Sequence, residues 1–281
     1  MSRILLTTSD HSRDSASLRY VYPVLSRRAG GVSVGINLNP NNACNWRCIY
    51  CQVPNLQRGG PPPIDLVQLR EELVGLLRRL DTGMAFGDEP AAAPRELVDV
   101  AFSGNGEPTS AAEFPAAVAV VQEVLAGCGL AGKIMLRLIT NGSLLDRRTV
   151  QEGIHRLGQT PGEVWFKVDA ATAAGLARIN NTRTKPEVLA RRLELCAELA
   201  PTWVQTCLFR LDGELPADSE IAAYLALLEP LAGRLEGVYL YGLARPSMQK
   251  EAPRLGRLDA TDLEKIAAGI RQLGLTVHVS P

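Results

Sequence analysis

The regular alternation of short apolar runs with segments of helical period restricts the fold more than any other feature. Apolar runs fall at Val32–Leu38, Leu97–Ser103, Lys133–Thr140, Glu163–Asp169, Thr202–Leu208 and Gly237–Tyr241. Their length suits strands. Between them the apolar spacing changes to three and four: Leu66, Leu69, Leu73, Leu76 and Leu80 follow Asp65-x-x-Gln68. Leu189, Leu193 and Cys196 follow Pro186 in the same way. Leu263, Ile266, Ala267 and Ile270 follow Thr261-x-x-Glu264, which reads as a capping box, and Gly274 is placed to close that helix. Gly59–Pro63 and Gly83–Pro94 read as loops inside a domain, not as linkers. Strands that alternate with helices pair in parallel through right-handed crossovers. Six such strands are fewer than the eight of a closed barrel, so a partial barrel and an open doubly wound sheet both fit. In either, binding residues gather at the carboxyl ends of the strands.

Composition narrows the class. Hydrophobic residues make up 46% of the 281, enough for a full core. Lys plus Arg equals Asp plus Glu at 30 each, so no global field draws the chain to nucleic acid. Met1–Asp10 holds only a short apolar run, and no apolar segment approaches the roughly 20 residues of a membrane span. This points to the cytoplasm and to no membrane partner, and there grouped cysteines bind metal or do chemistry more often than they form disulfides.

Three of the six cysteines stand in one loop after the first strand: Cys44-Asn45-Trp46-Arg47-Cys48-Ile49-Tyr50-Cys51. Three thiolates at spacings of four and three can converge on one metal centre. Four-iron clusters usually take four cysteines, so three would leave one iron open, as in sites that bind substrate. A structural zinc site would need a fourth ligand, and His11, His155 and His278 all lie far from the loop in sequence. Cys128, Cys196 and Cys207 have no cluster spacing and read as free, mostly buried thiols.

Other candidate site residues sit at the following strand ends. The second strand runs into Ser103-Gly104-Asn105-Gly106-Glu107-Pro108-Thr109, where glycines admit a close ligand and the Glu107 carboxylate suits an ammonium group. The third ends in Thr140-Asn141-Gly142-Ser143, with Asn141 or Ser143 either binding a ligand or making a turn and cap. In the fourth, Trp165, Lys167 and Asp169 share a face opposite Val164, Phe166 and Val168. Charged residues there imply a polar lumen or an internal salt bridge. Gln205 shares a parity with Trp203 and Cys207, Tyr239 shares one with Tyr241, and Arg245 follows the last strand. Ser26-Arg27-Arg28-Ala29-Gly30-Gly31 lies upstream of the cysteine loop and could seat an anion.

The spacing Cys-x3-Cys-x-aromatic-Cys resembles the signature of the radical S-adenosylmethionine (SAM) superfamily. Ser26-Arg27-Arg28, Gly35–Leu38, the cysteine loop, Ser103–Thr109 and Thr140–Ser143 together resemble its iron–sulfur oxidoreductase subgroup, distantly similar to wybutosine-synthesis enzymes. The resemblance implies an α/β fold, a partial (β/α)6 barrel of the radical SAM type in a single domain. It divides the chain into an N-terminal extension, 1–31, and the barrel domain, 32–281. It implies a [4Fe–4S] cluster on Cys44, Cys48 and Cys51, with SAM on the open iron. SAM contacts would come from Tyr50, Gly104, Asn105, Gly106, Glu107 and Asn141, from Asp169 at the ribose, and from Gln205. The implied reaction is reductive cleavage of SAM to a 5′-deoxyadenosyl radical that abstracts hydrogen from a substrate. A flavodoxin- or ferredoxin-like protein would donate the electron. Neutral net charge favours a small-molecule substrate over RNA or protein, with tRNA-base modification and glycyl-radical enzyme activation as alternatives. The rival class is a non-catalytic iron–sulfur carrier or sensor.

Overall fold

A computed structural model describes residues 18–26, 30–81 and 96–281. Eight strands form one sheet in sequential order. They are β1 (Val21–Ser26), β2 (Gly31–Asn37), β3 (Leu97–Ser103), β4 (Met135–Thr140), β5 (Gly162–Lys167), β6 (Thr202–Cys207), β7 (Gly237–Tyr241) and β8 (Val277–Ser280). Every pair is parallel except β1 with β2. Helices α1 (Leu66–Asp81), α2 (Phe114–Gly127), α3 (Arg148–Gly158), α4 (Pro186–Leu199), α5 (Asp218–Leu228) and α6 (Ala260–Gln272) fill the crossovers. Sequential order settles the choice that the pattern left open. When each right-handed crossover adds its strand on the same side, all helices lie on one face and the sheet curls into a half-barrel. A doubly wound sheet would reverse its order.

All six sequence-derived strands are present, with ends shifted by no more than two residues. Two strands escaped the pattern. Pro23 interrupts β1, and proline is tolerated there because β1 is an edge strand. The stretch set apart as an extension thus supplies a strand of the sheet. β8 has only four residues and too little alternation to read.

The two faces differ sharply. Val34, Ile36, Val100, Phe102, Leu136, Leu138, Val164, Phe166, Val204, Val238 and Leu240 point outward beneath the helices and are buried. Each such side chain contributes about 1.5–3 kcal/mol by leaving water. The inner face carries Ser33, Asp99, Arg137, Glu163, Trp165, Lys167, Gln205 and Tyr239, so the lumen is polar. Its amino-terminal floor is an ion network: Arg137 pairs with Asp99 and, at 2.6 Å, with Glu163, while Trp165 Nε1 donates to Glu163 at 2.8 Å.

Helix starts follow the sequence at α1, where Asp65 Oδ1 accepts from the Val67 and Gln68 amides at 3.0 Å. They depart from it at α6. The cap is Asp259, whose Oδ1 accepts from the Asp262 amide at 2.7 Å, and Thr261 lies inside the first turn. The Thr261 box read from the sequence is therefore not the cap, because the backbone turns helical two residues earlier. Asp259→Ala should cost ~1 kcal/mol in urea unfolding, against less than ~0.5 kcal/mol for Thr261→Ala. Among the described residues no helix is long and apolar enough to cross a membrane.

Candidate active site at the carboxyl end of the sheet

The cysteine loop leaves β2 and folds over the strand ends. A two-residue parallel ladder, Ala43–Cys44 with Gln57–Arg58, closes its base. Two later segments grip it. Behind β5, the Asn180 and Ile179 carbonyls accept from the Arg47 and Ile49 amides at 3.3 and 2.8 Å, and Asn181 Nδ2 donates to the Arg47 carbonyl at 2.8 Å. Behind β7, Ser247 Oγ donates to the Ile49 carbonyl at 2.7 Å, the Met248 amide donates to the Cys51 carbonyl at 2.9 Å, and Glu251 takes a bidentate pair from Arg47 at 2.7 and 2.9 Å. None of Asn180, Ser247 and Glu251 stood out in the sequence. The Asn180-Asn181 pair, with Asn181 at φ 51°, is the one local signal of a special turn.

Within the loop the thiols of Cys44 and Cys48 are pushed up by burial to about 11 and about 12, and Cys51 lies near both. Both therefore stay protonated at neutral pH until a metal displaces the proton. Among the described residues no three His, Cys, Asp or Glu side chains converge on a point fit for one metal ion. This does not bear on a cluster, where each thiolate takes a separate iron of a larger body.

Glycines at the end of β3 let it approach the loop. A Cβ on Gly106 would lie 2.6 Å from Asn39 Cγ and closer still to the Ala43 carbonyl. Gly104 holds φ 128° against Asn37. The Asn105 amide donates to Asn37 Oδ1 at 3.1 Å and its Nδ2 to Asn42 Oδ1 at 2.6 Å. Glu107 is buried, and its carboxylate accepts from Thr109 N and Oγ1, Thr140 Oγ1 and Asn141 N, at 2.6–3.1 Å. Burial raises its pKa against the lowering pull of these donors. Its work is to tie the ends of β3 and β4. At the end of β4, Asn141 Nδ2 donates to Asn45 Oδ1 at 3.0 Å, and Asn45 Nδ2 donates to Ser143 Oγ at 2.7 Å. The Ser143 amide also donates to Asn141 Oδ1 at 3.0 Å. Turn and cysteine-loop contact therefore coexist here.

The Asp169 side chain is fully buried. It accepts from Tyr50 Oη at 2.5 Å, Asn180 Nδ2 at 2.9 Å and the Cys207 amide at 3.1 Å, and pairs with Lys167 Nζ at 3.4 Å. Lys167 also donates to Tyr241 Oη at 2.9 Å and sits 5.1 Å from the Tyr50 ring centroid. Burial pulls the Lys167 pKa down, but Asp169 together with Tyr241, Cys207 and Cys48 raises it overall and keeps the ammonium charged. Both sequence alternatives, polar lumen and internal salt bridge, are realised in this pair. Tyr50 itself is buried with its ring 5.7 Å from Phe209. Gln205 lies on the lumen wall beside Lys167 in register, buried, with no partner for its Nε2.

Arg245 follows β7, and its carbonyl accepts from Gln52 Nε2 at 3.4 Å. Arg27, Arg28 and the 83–94 loop lie outside the described residues. Of the remaining thiols, Cys196 and Cys207 are buried and Cys128 is exposed. A cavity of about 210 Å³ opens beside Asp169, between Ile179, Leu208, Phe209, Leu215 and Tyr224.

The donor set suits an iron–sulfur cluster with an amino-acid ligand. Three thiols share one loop, and Asn39, Asn105 and Asn180 each keep a buried side-chain oxygen with no donor. Buried acceptors are costly unless a ligand supplies the donors; an ammonium and ribose hydroxyls would supply them.

Comparison with known proteins adds to this geometry. A family model described as the radical SAM superfamily matches residues 38–218. UPF0026 protein MJ1312 of Methanocaldococcus jannaschii is 30% identical over 179 residues, covering 61% of this chain and 46% of that protein. GTPase Obg of Brachyspira hyodysenteriae is 23% identical over 151 residues, covering 53% of this chain and 19% of that protein. The chain thus spans less than half the length of either. Among solved structures, TYW1 with a lysine-pyruvate adduct bound aligns with a TM-score of 0.59 at 17% identity. It covers 87% of this chain and 74% of that one, and shows the same fold.

Proposed function

The chain belongs to the radical SAM superfamily of enzymes, and from that premise we propose that Cys44, Cys48 and Cys51 hold one [4Fe–4S] cluster with SAM on its open iron. The observation that carries this reading is the seating of a three-cysteine loop against the β3 and β4 ends, with three unsatisfied acceptors around it. Cluster and SAM together supply a 5′-deoxyadenosyl radical, which takes hydrogen from a substrate. The chain's own residues position and shield this chemistry. Gly104 and Gly106 let the β3 end approach the cofactor, and Asn39, Asn105 and Asn180 offer acceptors to its donors. Tyr50, anchored by Asp169, backs the loop. The cavity beside Ile179 and Phe209 gives apolar surface to the nucleoside half, and Gln205 with Lys167 lines the lumen on the substrate side. Arg47–Glu251 and Ser247 clamp the loop from β7 and limit water.

We place the enzyme among cytoplasmic oxidoreductases with a small-molecule substrate, supported by a formal net charge of zero, and with a flavodoxin- or ferredoxin-like electron donor. The test is anaerobic purification, reconstitution with iron and sulfide, reduction, addition of SAM and quantification of 5′-deoxyadenosine. Wild type should form it, and Cys48→Ala, lacking one of the three proposed ligands, should form almost none. A fully loaded wild-type cluster that neither cleaves SAM nor changes spectrum with it would instead support the carrier or sensor reading.

A further inference from the structure

We infer that the Asn180 side-chain amide sets the reduction potential of the cluster by donating a hydrogen bond to the sulfur of Cys48. This rests on the reading of Cys44, Cys48 and Cys51 as its ligands. Asn180 is fully buried at the end of a π-helical turn, Leu176–Asn180, that follows β5. Its Nδ2 donates to Cys48 Sγ at 3.2 Å and to Asp169 Oδ2 at 2.9 Å. The backbone fixes the residue in place, since its carbonyl accepts from the Arg47 amide at 3.3 Å. The direction of the amide follows from its neighbours. Turned over, it would set Oδ1 against a carboxylate and against a sulfur that is negative once it binds iron. With Nδ2 toward both, Oδ1 is the atom left without a partner.

A hydrogen bond to a ligating sulfur withdraws charge from it. The reduced cluster carries one more electron and gains more from that withdrawal than the oxidised one, so the potential rises. Asp169 acts with the opposite sign, because its carboxylate is separated from Cys48 Sγ only by the Asn180 amide that donates to both, and its charge disfavours an added electron. Lys167 at 3.4 Å and Asn180 at 2.9 Å partly offset it. Asn180 is thus a positioning residue placed between the Asp169 carboxylate and the Cys48 sulfur.

The experiment is a redox titration followed by electron paramagnetic resonance of the reduced cluster. It uses the full chain as wild type, Asn180→Leu, Asn180→Asp and Asp169→Asn, each with iron and sulfide counted. Asn180→Leu should lower the ratio of reduced to oxidised cluster about tenfold at a fixed applied potential, about 59 mV for one electron. Asn180→Asp should lower it further, and Asp169→Asn should raise it. General loosening of the loop predicts no such opposition of sign. A loaded Asn180→Leu within twofold of wild type overturns the inference, as does a shift of Asn180→Leu and Asp169→Asn in the same direction. Should Asn180→Leu not retain its cluster, the Asn180→Asp shift is judged by the same two criteria. A wild type that assembles no cluster overturns the proposed function itself, which separates the two failures.

Discussion

Arg137→Met should destabilise the chain by about 3–5 kcal/mol at neutral pH, the range for breaking a buried ion network from one side. The guanidinium bridges Asp99 and Glu163 on the lumen floor, where its side chain is 13% exposed and that of Asp99 only 2%. Removing it strands two carboxylates in a site that water barely reaches. Burial already raises the Asp99 pKa above its ordinary value, against the lowering pull of Arg137 and of a Ser33 hydrogen bond. In the variant that pull is gone and Asp99 rises further. A carboxyl whose folded pKa lies above its unfolded one binds more protons when folded, so its folded state gains stability as pH falls. The variant's deficit should therefore be largest above the ordinary carboxylate range and should narrow on acidification. Urea unfolding at neutral and mildly acidic pH checks both parts. A deficit below ~1 kcal/mol, or one that widens with acid, would show that the network is not the floor's main support. Replacing all three charges with apolar residues of similar volume should lose much less, because no partner is then left unpaired.

Gly106→Ala should lower iron and sulfide loading at the proposed cluster site severalfold. The added Cβ would sit 2.6 Å from Asn39 Cγ and 2.7 Å from its Nδ2, and nearer still to the Ala43 carbonyl. These are backbone and a short, hydrogen-bonded side chain, since Asn39 Nδ2 already donates to the Ala43 carbonyl at 2.9 Å. Neither can step aside without moving Cys44. Overpacking costs typically about 1–3 kcal/mol, and here the strain falls on the segment that presents the first thiol. Iron and sulfide per chain after reconstitution should drop severalfold, with a smaller loss in unfolding free energy. Gly75→Ala is the matched control. Gly75 is exposed in the middle of α1 and its Cβ would meet nothing, so that change should stabilise by about 0.5–1 kcal/mol and leave iron content unchanged. Equal iron loading in both variants would refute the close approach as a requirement.

Much of this architecture was legible from local rules. A strand repeats its side-chain direction every two residues and a helix every 3.6, so Val164 to Asp169 announced a two-faced strand and Leu66 to Leu80 a one-faced helix without reference to partners. The cysteine loop was legible for the same reason: its three thiols lie within eight residues, and chain geometry alone brings them near one another. What a side chain faces is a different question. Glu107 reads from the sequence as a partner for an ammonium group, and Asp169, through the family resemblance, as a ribose contact. Neither reading contains the protein partners that the fold gives them, Thr140 and Asn141 for the one, and Tyr50, Asn180 and the Cys207 amide for the other. Those residues lie between 11 and 119 positions away, and nothing in the local sequence pairs them.

The sequence by itself determined the class of fold, its six main parallel strands, the loop of three cysteines and the family they resemble. These follow from periodicity and short-range spacing, which each segment carries alone. Only the tertiary structure decided that the strands run in sequential order around a half-barrel. It also decided that β1 and β8 extend the sheet, and that Asn180, Ser247 and Glu251 grip the cysteine loop. The physical reason is common to all three: strand order, edge pairing and hydrogen bonding between distant loops are set by which surfaces meet once the sheet has curled. Their free energy belongs to pairs of segments and not to either one.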